Sequence, residues 1–176
     1  MNANIPNWFD YAPLYAVLAE RIPEGSTFVE IGAWVGHSIS FFAQEIKRHK
    51  KKCRIVAIDN FRGSLNEAVQ NDIANEAGGS LRALFDETLK ADNVADMVEV
   101  IEGDSTESAI LFPDKSVWGV FIDAAHDTDS VKRDIAAWTF KVEPNGVMAG
   151  HDIDAPSVAA AVTMPHAVRG RCWIKL

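Results

Sequence analysis

The stretch FVEIGAWVGHS, residues 28–38, decides the fold, because it reads as a buried strand, a glycine turn and the start of a helix. The apolar run ends at Glu30-x-Gly32, the chain turns at Gly36, and a helical segment follows. Glycine suits such a turn, because the backbone must reverse sharply and a missing Cβ lets a ligand approach. The helix N-terminus presents N–H groups to an anion, and Ser38 adds a hydroxyl in the first turn. The stretch therefore predicts a ligand-binding loop at one edge of a sheet.

The rest of the chain repeats this alternation of apolar strands and helical segments. Strands are predicted at 27–31, 54–58, 97–101, 117–122, 146–149 and 172–176, and helices at 36–48, 128–139 and 156–163. Apolar strands separated by helices predict a doubly wound α/β fold, a mostly parallel sheet with helices on both faces. The long connection 60–96, with helical pieces broken at Gly78-Gly79, is interpreted as a cover for the sheet rather than a lid. We expect a single domain over residues 1–176.

Composition and charge exclude several classes of function. With 17 Lys and Arg against 25 Asp and Glu, the net charge is −8, which argues against nucleic acid as a partner because its binding surfaces are basic. The sequence contains no apolar run long enough to span a membrane, and residues 1–13 lack the features of a signal peptide. Cys53 and Cys172 form no CxxC pair, which fits a reducing compartment. A cytoplasmic location is therefore expected.

The spacing within the glycine loop discriminates between ligands. The pattern is GxxxG rather than the GxGxxG of dinucleotide-binding folds, which disfavours a nicotinamide oxidoreductase. A carboxylate at Glu30 would lie badly beside a pyrophosphate but suits an ammonium group, while the helix N-terminus suits a carboxylate. S-adenosylmethionine carries both groups and fits this arrangement.

Further polar residues follow the predicted strands, at the edge where ligands bind in open parallel sheets. Asp59 ends the second strand and can accept hydrogen bonds from both hydroxyls of a ribose, or form a turn with Asn60. Residues 103–105 follow the third strand, where Asp104 and a backbone N–H can contact an adenine edge. Asp104 or Ser105 is equally good as a helix cap, so both interpretations stay open.

Taken in order, these residues resemble the class I S-adenosylmethionine-dependent methyltransferases over roughly residues 8–176. More specifically, the sequence resembles a small bacterial group of these enzymes that has ExGxxxGxS, DxxH and GHD segments. In this chain the three segments are Glu30-Gly32-Gly36-Ser38, Asp123-Ala124-Ala125-His126 and Gly150-His151-Asp152. The resemblance implies a cofactor site lined by Glu30, Gly32, Gly36, Ser38, Asp59, Asp104 and Ser105.

The resemblance also implies a catalytic site at the ends of the fourth and fifth strands. In related O-methyltransferases the acidic residue at the position of Asp123 helps to bind a divalent metal, and His151 and Asp152 would complete that site. Carboxylate oxygens suit Mg²⁺, which would lower the pKa of an acceptor hydroxyl, whereas a histidine is more typical of a transition metal. His126 or His151 is alternatively a general base. Each of these side chains also has a structural interpretation: Asp123 as a helix cap, His126 as a half-buried histidine packed against the loop, and His151-Asp152 as a turn pair.

The predicted function is methyl transfer from S-adenosylmethionine to an oxygen, less favourably a nitrogen, of a small molecule or sugar. The alternative is a non-catalytic module that binds S-adenosylmethionine or S-adenosylhomocysteine. Two departures from related sequences motivate this alternative. Thr128 and Ile153 stand where aromatic residues are common, and the chain after residue 163 is short for the usual helix and antiparallel hairpin. The C-terminal edge of the sheet is therefore expected to be shortened, and a second subunit could cover it in a homodimer.

Overall fold

The computed structural model describes residues 5–64 and 68–176. In these ranges the strands are β1 Thr27–Ile31, β2 Arg54–Asp59, β3 Val98–Glu102, β4 Val117–Ile122, β5 Val142–Gly150, β6 His166–Arg169 and β7 Cys172–Lys175. The helices are α1 Ala12–Arg21, α2 His37–Arg48, α3 Ala68–Glu76, α4 Arg82–Ala91, α5 Ser105–Ser108, α6 Thr128–Thr139 and α7 Pro156–Ala161. Each predicted strand and helix overlaps one of these elements.

The strands form a seven-stranded sheet in the order β3-β2-β1-β4-β5-β7-β6. Strands β1 to β5 pair in parallel, whereas β7 pairs antiparallel with both β5 and β6. The strand order reverses between β1 and β4, and in such sheets a crevice opens there at the carboxyl ends of the strands. The predicted doubly wound fold is confirmed.

The two faces of the sheet bury different apolar clusters, because successive side chains of a strand point in opposite directions. Phe28 stacks on Phe42 of α2 with ring centroids 4.0 Å apart, and Tyr15 of α1 packs beside them. Val29 belongs to the opposite cluster, together with Trp138 of α6. Glu30 follows Phe28 by two positions, so it lies on the face covered by α1 and α2.

The long connection between β2 and β3 covers the sheet, as predicted. Gly78 and Gly79 follow α3 with φ values of +83° and +90°, a conformation that favours glycine. Phe85 and Leu89 of α4 are buried in the core, which fixes this helix against the sheet. No helix within 5–64 and 68–176 is long and apolar enough to cross a membrane.

Three features differ from the sequence-based expectation. Helix α1 and strand β6 were not predicted, because both are short and their patterns of apolar residues are weak. Strand β5 begins at Val142, four positions before the predicted start at 146, and its register with β4 shifts between Val117 and Gly119. The C-terminal hairpin is present, with β6 and β7 four residues long, so the edge of the sheet is short but complete. A homodimer across this edge stays a prediction.

Candidate active site

Two cavities, each of about 300 Å³, lie side by side at the carboxyl edge of the sheet. The first cavity is lined among others by Trp8, Tyr11, His126, His151, Asp152 and Arg171. The second cavity is lined among others by Asp59, Gly103, Asp104, Ser105, Arg133 and Asp134. Both cavities share Gly32, Trp34, Gln70 and Asp123. This volume is typical of small-molecule sites, and the shared wall lets one ligand extend across both cavities.

The two glycines of the loop after β1 are required by close packing of the chain. Gly32 and Gly36 both have a φ of +85°, in the left-handed region. A Cβ on Gly32 would overlap the backbone carbonyl oxygen of Asp123, and a Cβ on Gly36 would lie 2.9 Å from the Phe85 ring. The glycine at position 32 lets the chain after β4 approach, which brings Asp123 to the loop. The predicted approach of a ligand to Gly32 stays a prediction.

Glu30 is a buried carboxyl group with spare hydrogen-bonding capacity. Its side chain is fully buried, and Oε1 lies 3.5 Å from the Tyr11 hydroxyl. Within the described part of the chain, Oε2 has no hydrogen-bond partner. Burial raises the pKa of Glu30 to about 8, although the Ser38 side chain offsets part of that rise. A buried, unsatisfied carboxyl oxygen is costly, so a cationic group of a ligand would be favoured beside it.

Helix α2 begins directly after this loop, with Gly36 at its N-cap. Among residues 5–64 and 68–176, no side-chain cap hydrogen bond is found at this end of the helix. Such groups, together with the helix dipole, favour an anion at this end of the helix. The loop therefore offers a carboxyl group at Glu30 and an anion-binding helix end a few residues later.

Asp59 joins the glycine loop to the end of β2. Its Oδ2 accepts the backbone N–H of Trp34 at 2.8 Å, and its Oδ1 accepts the N–H of Phe61 at 2.7 Å. Both donors are non-glycine residues in the left-handed region, with φ values of +48° and +54°. Desolvation raises the pKa of Asp59, and these backbone hydrogen bonds lower it. Asp59 thus stabilises two strained turns at the second cavity.

Asp104 and Ser105 form local hydrogen bonds beside the same cavity. Asp104 caps α5, because its Oδ1 accepts the backbone N–H groups of Thr106 at 2.8 Å and Glu107 at 3.1 Å. The Ser105 hydroxyl donates to Asp134, whose pKa is raised to about 6 by burial. The capping interpretation of Asp104 is confirmed. Capping does not engage Oδ2 of Asp104, so it does not contradict the predicted contact with an adenine.

The ends of β4 and β5 bring a cluster of acidic and histidine side chains into the first cavity. One ligand atom each from Asp123, His126 and Asp152 lies within 4.8 Å of the others. His126 Nε2 is 2.9 Å from Asp152 Oδ2 and 3.9 Å from Asp123 Oδ1. Burial alone would raise the pKa of Asp123, but hydrogen bonds with His126 and His151 lower it, so Asp123 is a carboxylate. Asp152 adopts a φ of +55°, which marks a strained backbone at this point.

His151 lies behind this cluster rather than within it. Its side chain is 4% exposed; Nε2 is 2.8 Å from Asp10 Oδ1, and Nδ1 is 3.2 Å from Asp152 Oδ2. Burial by itself lowers the pKa of His151, but hydrogen bonds to Asp123 and Asp152 raise it to about 10. The group is therefore a cation at neutral pH and is poorly suited to act as a general base. The predicted metal set named His151, whereas the structure places His126 with Asp123 and Asp152.

Residues that were not predicted complete the first cavity. Arg171, after the β6 turn, is ion-paired with Asp152, with Asp154 at 3.1 Å and with Asp10 at 3.4 Å. The N-terminal segment contributes aromatic residues, and the Trp8 ring packs on Trp34 with centroids 5.2 Å apart. These rings supply an aromatic wall although Thr128 and Ile153 do not. The run NWFDY at 7–11 was the available signal in the sequence, but its spacing matches no motif.

Comparison with known proteins identifies the family. Residues 29–153 match the model of a family described as a methyltransferase domain. The chain belongs to this methyltransferase family. No curated protein matches the chain by sequence.

Solved structures show the same fold. The O-methyltransferase NovP is 13% identical with a TM-score of 0.71, over 93% of this chain and 78% of NovP. The calicheamicin methyltransferase CalS11 is 18% identical with a TM-score of 0.62, over 93% of this chain and 75% of CalS11. A S-adenosylmethionine-dependent methyltransferase from Geobacter sulfurreducens, solved with S-adenosylhomocysteine, is 15% identical with a TM-score of 0.53, over 85% of this chain and 50% of that protein.

Proposed function

We propose that this methyltransferase transfers the methyl group of S-adenosylmethionine to a hydroxyl oxygen of an uncharged small molecule or sugar. The observation that carries the proposal is the unsatisfied Oε2 of the fully buried Glu30. A cation is the natural partner of that oxygen, and the uncapped end of α2 offers a site for an anion close by in sequence. The amino acid moiety of S-adenosylmethionine carries one charge of each sign.

The remaining predicted residues suit the nucleoside part of the cofactor. The second cavity, which Asp59, Asp104 and Ser105 line, would take the ribose and the adenine. Glu30 would hold the ammonium group, and the start of α2 near Ser38 would take the carboxylate. The methyl group would then face the first cavity, because Gly32 and Asp123 are shared by both. Alignment of the acceptor with this methyl group would supply much of the rate.

The cluster of Asp123, His126 and Asp152 suits a divalent metal ion. Two carboxylates and an imidazole within 4.8 Å form a mixed oxygen and nitrogen donor set. When bound, such an ion would lower the pKa of an acceptor hydroxyl. His151, as a cation ion-paired with both aspartates, would keep their carboxylates in place. Without an ion, the carboxylate of Asp123 or the imidazole of His126 would accept the hydroxyl proton.

The charges around the first cavity favour an uncharged acceptor. Asp123 and Asp152 line it, and Arg171 is the lining arginine. Arg171 is already paired with three aspartates, so it has little capacity left for an anionic substrate. An acceptor that carries a pyrophosphate, such as a nucleotide-linked sugar, would meet these carboxylates, and the cation His151 is likewise already paired with aspartates. The structurally similar protein CalS11 is named a TDP-rhamnose 3'-O-methyltransferase, and that name describes a nucleotide-linked sugar as its acceptor.

Calorimetry of the purified protein tests the cofactor. We expect S-adenosylmethionine and S-adenosylhomocysteine to bind and NAD(H) not to bind. Methyl transfer is then measured with a panel of free sugars, phenols and nucleotide-linked sugars, first with a chelator and then with added Mg²⁺ or Mn²⁺. Turnover of a free hydroxyl compound supports the proposal, and restoration by a cation supports the metal. Cofactor binding without turnover of any acceptor would favour the non-catalytic alternative, and lack of binding would refute the proposal.

A further inference from the structure

The N-terminal segment Asn7–Tyr11 lies in the active site. Asn7, Trp8, Phe9 and Tyr11 all line the first cavity. Asp10 reaches the site from its outer side, where its Oδ1 lies 2.8 Å from Nε2 of His151. Every residue of the segment therefore either lines the cavity or, in the case of Asp10, contacts His151.

Tyr11 makes the most direct of these contacts. Its hydroxyl donates a hydrogen bond to Asp123 Oδ2 at 2.8 Å. The residue is 6% exposed, and its ring is 4.7 Å from Phe121 and 4.8 Å from Phe9, measured between ring centroids. These contacts from two sides hold the phenol in one orientation. The hydroxyl also lies 3.5 Å from Glu30 Oε1, which is the outer limit of a hydrogen bond.

We propose that Tyr11 is a positioning residue for methyl transfer. It holds the Asp123 carboxylate so that Oδ1 faces His126 and the methyl acceptor. The inference rests on the proposed function of Asp123. The same carboxylate has its Oδ1 3.5 Å from His151 Nδ1 and 3.9 Å from His126 Nε2. Because Tyr11 binds Oδ2, the carboxylate cannot rotate without losing a charge-assisted hydrogen bond. Oδ1 is thereby kept on the side of His126.

The consequence is a division of roles between the two oxygens of Asp123. Oδ2 is held by the phenol, and Oδ1 is available to the acceptor hydroxyl or to a cation. A carboxylate that rotates freely would present either oxygen, and part of its population would be misaligned. Because misplacement of a catalytic group by an ångström is costly, Tyr11 should act on the turnover step more than on binding.

The substitution Tyr11→Phe tests this role, since it removes the hydroxyl and keeps the ring. We expect kcat to fall roughly 10- to 100-fold, as for the loss of a hydrogen bond to a charged group. The Kd of S-adenosylhomocysteine and the Tm should change little. The control is Thr139→Val, which removes a half-buried hydroxyl that donates to the carbonyl oxygen of Ile135 in the same helix. Thr139 lines neither cavity, so the loss of its hydroxyl should leave kcat near the wild-type value.

The hydroxyl proton of Tyr11 provides a readout that does not depend on activity. Its NMR resonance should be protected from exchange, absent in Tyr11→Phe, shifted in Asp123→Asn and unchanged in Thr139→Val. If Tyr11→Phe and Thr139→Val have equal kcat values in an active enzyme, the role of Tyr11 is overturned and the proposed function is not affected. If the Tyr11 hydroxyl resonance does not shift in Asp123→Asn, the positioning role of Tyr11 is overturned, even if no acceptor is found. Lack of cofactor binding by the wild type would instead refute the proposed function.

Discussion

The ionisation of Glu30 makes a quantitative prediction about cofactor binding. Its pKa of about 8 in the free protein means that about one tenth of the molecules carry the carboxylate at pH 7 and about one hundredth at pH 6. The carboxylate is the form that pairs with the cofactor's ammonium group. The ammonium group of the ligand lies beside its own carboxylate, so it titrates above the pKa of about 8 of a peptide N-terminus and stays protonated at neutral pH. Affinity should therefore rise close to tenfold from pH 6 to 7 and level off above pH 8, where Glu30 is already a carboxylate.

The assignment of Glu30 to the ammonium group also predicts that cofactor binding releases protons. At pH 7, binding should remove about 0.9 proton from Glu30, and the ammonium group, already protonated, should add almost none. Calorimetry in buffers of different ionisation enthalpy measures this number directly. S-adenosylhomocysteine is the ligand of choice, because it has the same amino acid moiety and no transferable methyl group.

Glu30→Gln keeps the shape of the side chain and removes its ionisation. We expect binding at pH 8 to weaken tenfold or more, and the rise in affinity between pH 6 and 8 to disappear. The control Glu20→Gln replaces an exposed glutamate of α1 and should behave as wild type. A wild-type affinity that is constant from pH 6 to 8, without proton release, would refute the assignment of Glu30 to the ammonium group.

Three further predictions concern stability and turnover. Gly32→Ala should lower Tm by several degrees more than Gly25→Ala, because both glycines have a positive φ but a Cβ has open space at Gly25 and overlaps Asp123 at Gly32; equal melting temperatures would contradict this packing. Asp123→Asn should retain the Kd for S-adenosylhomocysteine within a few-fold and lose at least about 100-fold in turnover; unchanged turnover would exclude Asp123 from catalysis. Without cofactor, Glu30→Gln should raise Tm at pH 9 but not at pH 4. The folded pKa of Glu30 is raised from 4.5 to about 8, so wild-type stability falls as pH rises through this window; a Tm difference independent of pH would disprove this linkage.

Local patterns predicted most of the central sheet. Strands β1, β2 and β4 carry apolar runs that are buried over most of their length, which is the pattern of strands covered on both faces, and Glu30 interrupts the run in β1. Gly32 and Gly36 indicated a tight turn, and both have the positive φ that such a turn requires. Polar residues at strand ends indicated the ligand edge, because all carboxyl ends of a parallel sheet lie on one side. The methyltransferase prediction, which used these positions, is confirmed by the family match.

The roles of individual side chains were less predictable. Asp59 and Asp104 were predicted as cofactor contacts, and each also binds backbone N–H groups of its own turn. His126 and His151 are both next to strand ends, so their spacing could not separate a cluster member from a residue behind the cluster. The orientation of each imidazole ring decides which histidine belongs to the cluster. Asp10 contributes to the orientation of His151 by binding its Nε2.

The sequence by itself determined the parallel α/β fold, the glycine loop and the set of polar residues at the ligand edge, because each arises from a local periodicity or spacing. The tertiary structure decided how these residues are partnered. Tyr11 meets Asp123 across 112 positions, and Asp10 meets His151 across 141. Such contacts depend on how the segment before α1 packs over the sheet and on how the β6–β7 hairpin places Arg171. Packing over these distances leaves no periodic signal in the chain, so only the folded structure shows it.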